Sequence, residues 1–148
     1  MARVTARSAP GRALTTIVEA RQHRVVADEP AEAGGDDLGP GPYELLLAAL
    51  GACTVMTVEL YARRKAWPLE QVTIRLDHSR RAAGAGEEAP AGARIDRITY
   101  DIDLEGPLDA TQRERLLQIA ARCPVHRTLT GPLEIVPGHV PATAAPGE

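Results

Sequence analysis

The stretch that decides the fold spans residues 41–58 and reads GPYELLLAALGACTVMTV. Pro42 suits the first turn of a helix, because the N–H that proline lacks would have no partner there. Glu44 then lies in the same turn, where its negative charge is favourable against the helix dipole. From Leu45 to Val58 the residues are almost all apolar, which is typical of a buried helix. The stretch therefore predicts a central core helix.

This helix is expected to run from Pro42 to about Ala66 and to end before Pro68, since the residue before a proline disfavours helical geometry. A helix that is apolar on every side needs more cover than one small sheet provides. The chain has no Phe, one Trp and three Tyr, so its packing must rest on aliphatic side chains. We therefore expect a homodimer in which a second subunit completes the core.

The remaining segments predict an α+β fold, an antiparallel sheet with two helices. Short runs with alternating or β-branched residues predict five strands: Leu14–Glu19, His23–Ala27, Val72–Ser79, Ile98–Leu104 and Leu133–Val136. The element order is β-β-(β)-α-β-β-α-β, with a third N-terminal strand left open. A chain of 148 residues is expected to form a single domain over 1–148, with a flexible tail at 137–148.

A second helix is predicted after Asp109, which forms an approximate capping box with Gln112. Apolar residues from Leu116 to Cys123 recur at helical spacing on one face. Pro124 is expected to close this helix or to kink it.

Two segments are predicted to be loops. Asp28–Pro42 holds four Gly, three Pro and five acidic residues, and a loop of this length in a compact domain tends to border a functional site. Arg81–Arg94 is rich in Ala, Gly and Glu without periodicity and is expected to be a flexible hairpin connection. The pair Arg80-Arg81 is expected to be the solvated end of a strand.

Composition excludes several classes of function. The net charge is −3 and the basic residues are dispersed, so no nucleic-acid partner is expected. The longest apolar run is shorter than the ~20 residues of a membrane span, so no membrane contact is expected and a cytoplasmic location is predicted. In a reducing compartment, cysteines more often serve catalysis, redox exchange or metal binding than permanent disulfides.

The chain has only two cysteines, one in each predicted helical segment. Cys53 has no charged neighbour along its helix, so an arginine from elsewhere in the fold would have to activate it; otherwise it is a small core residue. Cys123 stands beside Arg122 and His126, where a polarised thiol or a solvated helix end are both compatible with the sequence.

Metal binding and hydrolysis are weaker alternatives. Cys123 and His126 have ligand-like spacing, but no second tight pair accompanies them, as a structural zinc site would require. A Cys/His hydrolase would need a histidine near Cys53, and His126 is the only reasonable one. We therefore expect neither a metal nor a cofactor.

The residues 28–54, with Gly41-Pro42 and the run from Leu45 to Cys53-Thr54, resemble the OsmC/Ohr family of osmotically inducible and organic-hydroperoxide-resistance proteins. The second segment, Cys123-Pro124-Val125-His126-Arg127-Thr128-Leu129, is similar to the second-cysteine motif of that family. The predicted element order agrees with the family fold. The resemblance implies an intertwined homodimer with the central helices buried between sheets of both subunits.

The resemblance also implies a cysteine-based reduction of organic hydroperoxides. Cys53 would be the peroxidatic cysteine, oxidised to a sulfenic acid, and Cys123 the resolving cysteine that condenses with it into a disulfide. A dithiol reductant, a lipoylated protein in the Ohr branch, would regenerate both thiols.

The polar residues depart from the family pattern. Family peroxidases hold an arginine over the reactive cysteine with a glutamate directly after the proline, where this chain has Tyr43. Glu44 is one residue late, a helical rotation of about 100°. The resemblance favours Arg12 as the activating arginine, with Arg24 as the alternate and Arg21 also nearby. The alternative function is a non-catalytic dimer of this fold that senses redox state or binds a small ligand.

Overall fold

The computed structural model describes residues 2–83 and 93–138. In chain order the elements are β1 (Thr5–Ser8), β2 (Thr16–Ala20), β3 (His23–Ala27), a single 3-10 turn (Ala31–Ala33), α1 (Pro42–Arg64), β4 (Gln71–Ala82), β5 (Arg94–Glu105), α2 (Ala110–Ala120) and α3 (Pro124–Thr130). The predicted α+β class with antiparallel sheets is confirmed. Within the described residues the strands form two sheets rather than one, and there are three α-helices rather than two.

The N-terminal sheet is an antiparallel meander in the order β1-β2-β3. The predicted strands near residues 14–19 and 23–27 are present, and the third N-terminal strand that the sequence left open is β1. Ala20 pairs with His23 across the tight turn, where Arg21 has a φ of 56°.

β4 and β5 form a long antiparallel hairpin that pairs from Gln71 opposite Glu105 to Ala82 opposite Arg94. The strands extend beyond the predicted bounds of Val72–Ser79 and Ile98–Leu104, into both ends of the predicted Arg81–Arg94 loop. Residues 84–92 of that loop lie outside the described residues.

α1 begins as its sequence predicts. Pro42 occupies its first turn, and the Glu44 carboxylate accepts a hydrogen bond of 2.7 Å from the backbone N–H of Gly41. The helix ends at Arg64, two residues before the predicted end, because the chain turns at Ala66 with a φ of 51° ahead of Pro68.

The main core lies where α1 packs against β4 and α2. Its buried residues are Val58, Ala62, Val72, Leu108, Leu116 and Ala120. Ile102 and Leu104 of β5 pack against this cluster, so this face of the strand is turned toward the core. Further along the same face, Tyr100 is half exposed.

The second helical segment is divided before Pro124, which corrects the prediction of one helix that Pro124 either closes or kinks. α2 stops at Ala120, and Pro124 is the first residue of a new helix, α3. A proline is well suited to this position because it gives up no helical hydrogen bond there. The Asp109–Gln112 capping box at the start of α2 is present in full.

The predicted strand Leu133–Val136 is wrong. These residues carry no strand pairing and are exposed, Ile135 to 87%. β-branched residues favour strands, but a strand needs a neighbour for its backbone hydrogen bonds, and within the described chain none lies beside this segment. Of the predicted flexible tail, residues 139–148 lie outside the described residues.

α1 is only partly covered within one chain. Met56 is 68% exposed and Leu60 is 50% exposed. By length and composition α1 could span a membrane, so the length of the apolar run does not by itself exclude a span. Core helices of soluble proteins pass the same test.

Candidate functional site

Cys123 is fully buried and occupies the N-cap position of α3. Its Sγ accepts a hydrogen bond of 3.3 Å from the backbone N–H of His126. N-cap side chains usually accept from a backbone N–H in the first turn, a role that oxygen normally fills. The capping contact therefore fixes the direction of the Cys123 side chain.

The same sulfur contacts α1. Thr54 Oγ1 lies 3.4 Å from Cys123 Sγ and also donates to the Leu50 carbonyl at 2.9 Å. A hydroxyl carries one proton. When the Thr54 hydroxyl donates that proton to the Leu50 carbonyl, the S–H of Cys123 can donate to Thr54 Oγ1. The contact joins the two predicted site segments, because Thr54 directly follows Cys53.

Cys53 is half-buried on α1, and both thiols are free. Consecutive side chains on a helix diverge by about 100°, so Cys53 does not share the direction of Thr54 toward Cys123. The structure thus brings the cysteine-bearing segments into contact without joining their sulfurs. Among residues 2–83 and 93–138, no group of three or more His, Cys, Asp or Glu is placed to hold a metal ion.

The other predicted site residues lie elsewhere in the protomer. Arg12 is exposed and forms an ion pair of 3.8 Å with Asp36, while Glu44 caps α1 through Gly41. Arg24 is an exposed residue of β3, and Arg21 is the residue of positive φ in the β2–β3 turn. In the described part of the chain, no arginine makes an ion pair or hydrogen bond with Cys53 or with Glu44.

The predicted site-bordering loop is organised by Asp28, which is almost fully buried. Its carboxylate accepts hydrogen bonds from the Thr15 hydroxyl at 2.9 Å and from the backbone N–H groups of Glu29 and Leu38. Burial raises the pKa of Asp28, but the hydrogen bonds outweigh burial and hold the pKa below its usual 3.8. The loop is therefore an ordered connection into α1.

A polar cluster that the sequence did not predict lies beside the start of α1. Arg80 Nε donates to Asp96 Oδ1 at 2.9 Å and Arg80 Nη2 donates to the Tyr43 hydroxyl at 2.8 Å. The His78 ring stacks on Tyr43 with centroids 4.3 Å apart, and its Nε2 lies 2.9 Å from the same Asp96 oxygen. The expectation that Arg80 is a solvated strand end is thus incomplete, because its half-exposed side chain is held on two sides.

The sequence carries a signal for only one part of this cluster, the inward face of β4, and the rest depends on the hairpin register. The alternation that places Val72 and Leu76 on the inward face of β4 continues to positions 78 and 80, and Arg80 pairs directly opposite Asp96 in the hairpin. A hydrogen bond from Arg80, and a smaller contribution from the hydrogen bond to His78, hold the pKa of Asp96 below its usual range. The carboxylate is therefore ionised at neutral pH.

Asp96 also borders a cavity of about 200 Å³ between α1, β5 and α3. The residues that line it are Leu50, Asp96, Ile98, Tyr100, His126, Leu129 and Thr130. Leu50 lies one helical turn before Cys53 and Thr54, and His126 lies one turn after Cys123. Both cysteine-bearing segments therefore contribute to the walls of this cavity.

These features define an α+β protein with one thiol on a central helix and a second at a neighbouring helix cap. A family model described as OsmC-like protein matches residues 34–137. Because the match covers most of the chain, the protein belongs to the OsmC-like family. A search of curated proteins found no match.

Solved structures of the family share the fold. An OsmC-like protein from Mycoplasma pneumoniae superposes with a TM-score of 0.70 at 22% identity, covering 88% of each chain. An organic hydroperoxide resistance protein OsmC from Legionella pneumophila gives 0.63 at 20% identity, covering 90% of this chain and 92% of the other. The organic hydroperoxide resistance protein OhrB of Bacillus subtilis gives 0.60 at 22% identity, covering 90% and 93%.

Proposed function

We propose that this protein is a cytoplasmic thiol peroxidase that reduces organic hydroperoxides as part of an oxidative stress response. Membership of the OsmC-like family and the structural likeness to organic hydroperoxide resistance proteins support a role in peroxide resistance. The observation that carries the proposal to this chain is the contact between Thr54 and Cys123. It joins the helix of Cys53 to the segment of the second thiol.

The proposed reaction uses the two thiols in turn. The Cys53 thiolate attacks the terminal oxygen of the hydroperoxide, the O–O bond breaks, and the departing alkoxide takes a proton to become an alcohol. Cys53 is then a sulfenic acid. The Cys123 thiolate attacks that sulfur, forming a disulfide, and the sulfenic oxygen leaves as water after protonation. A dithiol reductant such as a lipoylated protein reduces the disulfide by exchange and restores both thiols.

The proposal requires a cation beside Cys53. Arg12 remains the proposed cation, and Glu44 remains the proposed carboxylate that would hold Arg12 over the thiol. In the protomer Arg12 pairs with Asp36 and Glu44 caps α1. The proposal therefore places the contact between Arg12 and the thiol in an assembled dimer.

The dimer is itself part of the proposal. Met56 and Leu60 expose apolar side chains on the central helix, and contiguous exposed apolar surface on a folded protein marks an interaction site. A second copy of the chain would cover this face and complete the core that the sequence predicts. Light scattering during size-exclusion chromatography measures the mass directly, and a monomer at micromolar concentration would exclude the dimer.

The decisive experiment compares the wild type with Cys53→Ser and Cys123→Ser, all reduced beforehand. With cumene hydroperoxide and dihydrolipoamide, the wild type should turn over continuously. Cys123→Ser should consume about one equivalent without added reductant and accumulate a sulfenic acid that dimedone traps. Cys53→Ser should consume none by this route. If Cys53→Ser matches the wild-type rate, the peroxidase proposal fails.

A second candidate is a non-catalytic dimer that binds a small ligand or senses redox state. The observation that favours it is the absence of any arginine contact to Cys53 among the described residues. This candidate predicts reaction of Cys53 with cumene hydroperoxide no faster than that of a free thiol. A stopped-flow comparison with N-acetylcysteine at pH 7 decides between the two.

A further inference from the structure

The cavity between α1, β5 and α3 has an apolar body and a half-exposed carboxylate at its rim. Leu50, Ile98 and Leu129 contribute aliphatic side chains from the three elements, and Asp96 contributes a carboxylate. Its volume of about 200 Å³ is below the range of roughly 300–1,000 Å³ that holds drug-sized ligands. The space therefore suits a compact organic molecule rather than a long chain.

Asp96 is held so that one of its two oxygens stays available. Arg80 Nε and His78 Nε2 both approach Oδ1, each at 2.9 Å. Oδ2 receives no hydrogen bond from any residue in the described ranges. An ionised carboxylate only accepts hydrogen bonds, so Oδ2 selects a ligand group that donates one.

The Asp96 side chain is 56% exposed at the rim of the cavity, and the surrounding cluster fixes its direction. Arg80 is fixed by the Tyr43 hydroxyl as well as by Asp96, and the His78 ring is stacked on Tyr43. The charge of Asp96 is therefore compensated and its side chain is oriented before any ligand arrives. A preoriented acceptor binds a donor with little loss of conformational entropy.

We propose that this cavity binds a compact apolar molecule bearing a single O–H donor, with the donor placed on Asp96 Oδ2. The site rests on the proposed function, because two molecules of that reaction have this chemistry: the hydroperoxide substrate and the alcohol product. Asp96 is then a positioning and specificity residue for the ligand, and Arg80 and Tyr43 orient Asp96.

The test uses the full-length reduced protein and 2-phenyl-2-propanol, an alcohol that cannot react with thiols. Its isostere tert-butylbenzene replaces the hydroxyl by a methyl group and has no donor. The dissociation constants of both are measured by ligand-observed NMR titration. A hydrogen bond to a carboxylate should make the alcohol bind about tenfold more tightly than the isostere.

Three variants locate the site. Asp96→Ala should remove the preference for the alcohol, and Leu129→Trp, which fills the cavity, should weaken binding of both ligands about tenfold or more. Leu133→Trp adds the same side chain at an exposed position away from the cavity and should leave both constants unchanged. If Leu129→Trp does not fold by circular dichroism, Thr130→Tyr fills the same space from an exposed position.

The outcomes separate this site from the peroxidase proposal. An alcohol preference that survives Asp96→Ala, or binding that survives filling of the cavity, overturns the site. Cumene hydroperoxide is the second ligand of the test, because its binding shows whether the substrate as well as the alcohol product occupies the cavity. Turnover without cavity binding leaves the peroxidase standing, whereas alcohol binding without turnover leaves only the binding site.

Discussion

Replacing Thr54 by Val tests the contact that joins the two cysteine-bearing segments. Thr54 is buried and its hydroxyl serves both the Leu50 carbonyl and Cys123 Sγ. Valine has nearly the same shape and a similar helix propensity, so the substitution removes the hydroxyl and little else. Thr57→Val is a matched control, because Thr57 bonds only the Cys53 carbonyl one turn back.

The expected size of the effect follows from the two sets of contacts. Both variants lose a hydroxyl bond to a carbonyl that already accepts within the helix, and this loss should largely cancel between them. What remains is the contact between Thr54 and sulfur at 3.4 Å, a weak hydrogen bond worth about 0.5–1 kcal/mol. Thr54→Val should therefore be less stable than Thr57→Val by about that amount. If the contact also positions Cys123, disulfide formation should slow about two- to fivefold.

Two assays measure these quantities. Urea unfolding of the reduced variants gives the free energies of unfolding, and quenched mass spectrometry after one equivalent of cumene hydroperoxide gives the rate of disulfide formation. Equal stabilities and equal rates for Thr54→Val and Thr57→Val would refute the reasoning. A difference in stability alone would mean that the contact supports the fold without guiding the thiol.

Three further predictions concern the core, the loop and the dimer. Leu116→Ala should lower the free energy of unfolding by about 2–5 kcal/mol because Leu116 is fully buried, whereas the half-exposed neighbour variant Leu117→Ala should stay within about 0.5 kcal/mol in the same urea assay. The pKa of Asp28 is lower in the folded protein than the unfolded value of 3.8, so the ionised carboxylate stabilises the fold above pH ~4, and this stabilisation is lost as the pH falls through the folded pKa. Asp28→Asn should therefore be less stable than the wild type at pH 7, and its melting temperature should fall less steeply below pH ~4. Met56→Arg should convert the proposed dimer to a monomer by light scattering, since it would place an unpaired charge in the interface; a dimer of unchanged mass would contradict that placement.

The sequence predicted the elements whose local signals agree with their packing. Proline at the start of α1 and the apolar run behind it define the helix, and strict alternation defines the β4–β5 hairpin. The motifs around the two cysteines also select them as the candidate site, and that assignment stays a prediction.

The failures have a common physical origin in contacts between distant segments. Leu133–Val136 has the composition of a strand but no neighbour to pair with among the described residues, and Pro124 starts a helix because Cys123 leaves helical geometry to cap it. The cluster around Arg80 depends on the hairpin register and on where α1 begins. Such pairings are set by the whole fold, so residue spacing alone does not show them.

If Cys53 and Cys123 form the proposed disulfide, the position of Cys123 links the oxidation state of the protein to the order of a helix. Its sulfur accepts from the backbone of His126 and so caps the first turn of α3. In the proposed chemistry this sulfur must turn toward Cys53, and the N–H it leaves behind loses its acceptor. Hydrogen exchange at the amide of His126 should then be faster in the disulfide form than in the dithiol form. A regenerating reductant would thus meet a disulfide whose neighbouring helix has been loosened by the reaction that formed this disulfide.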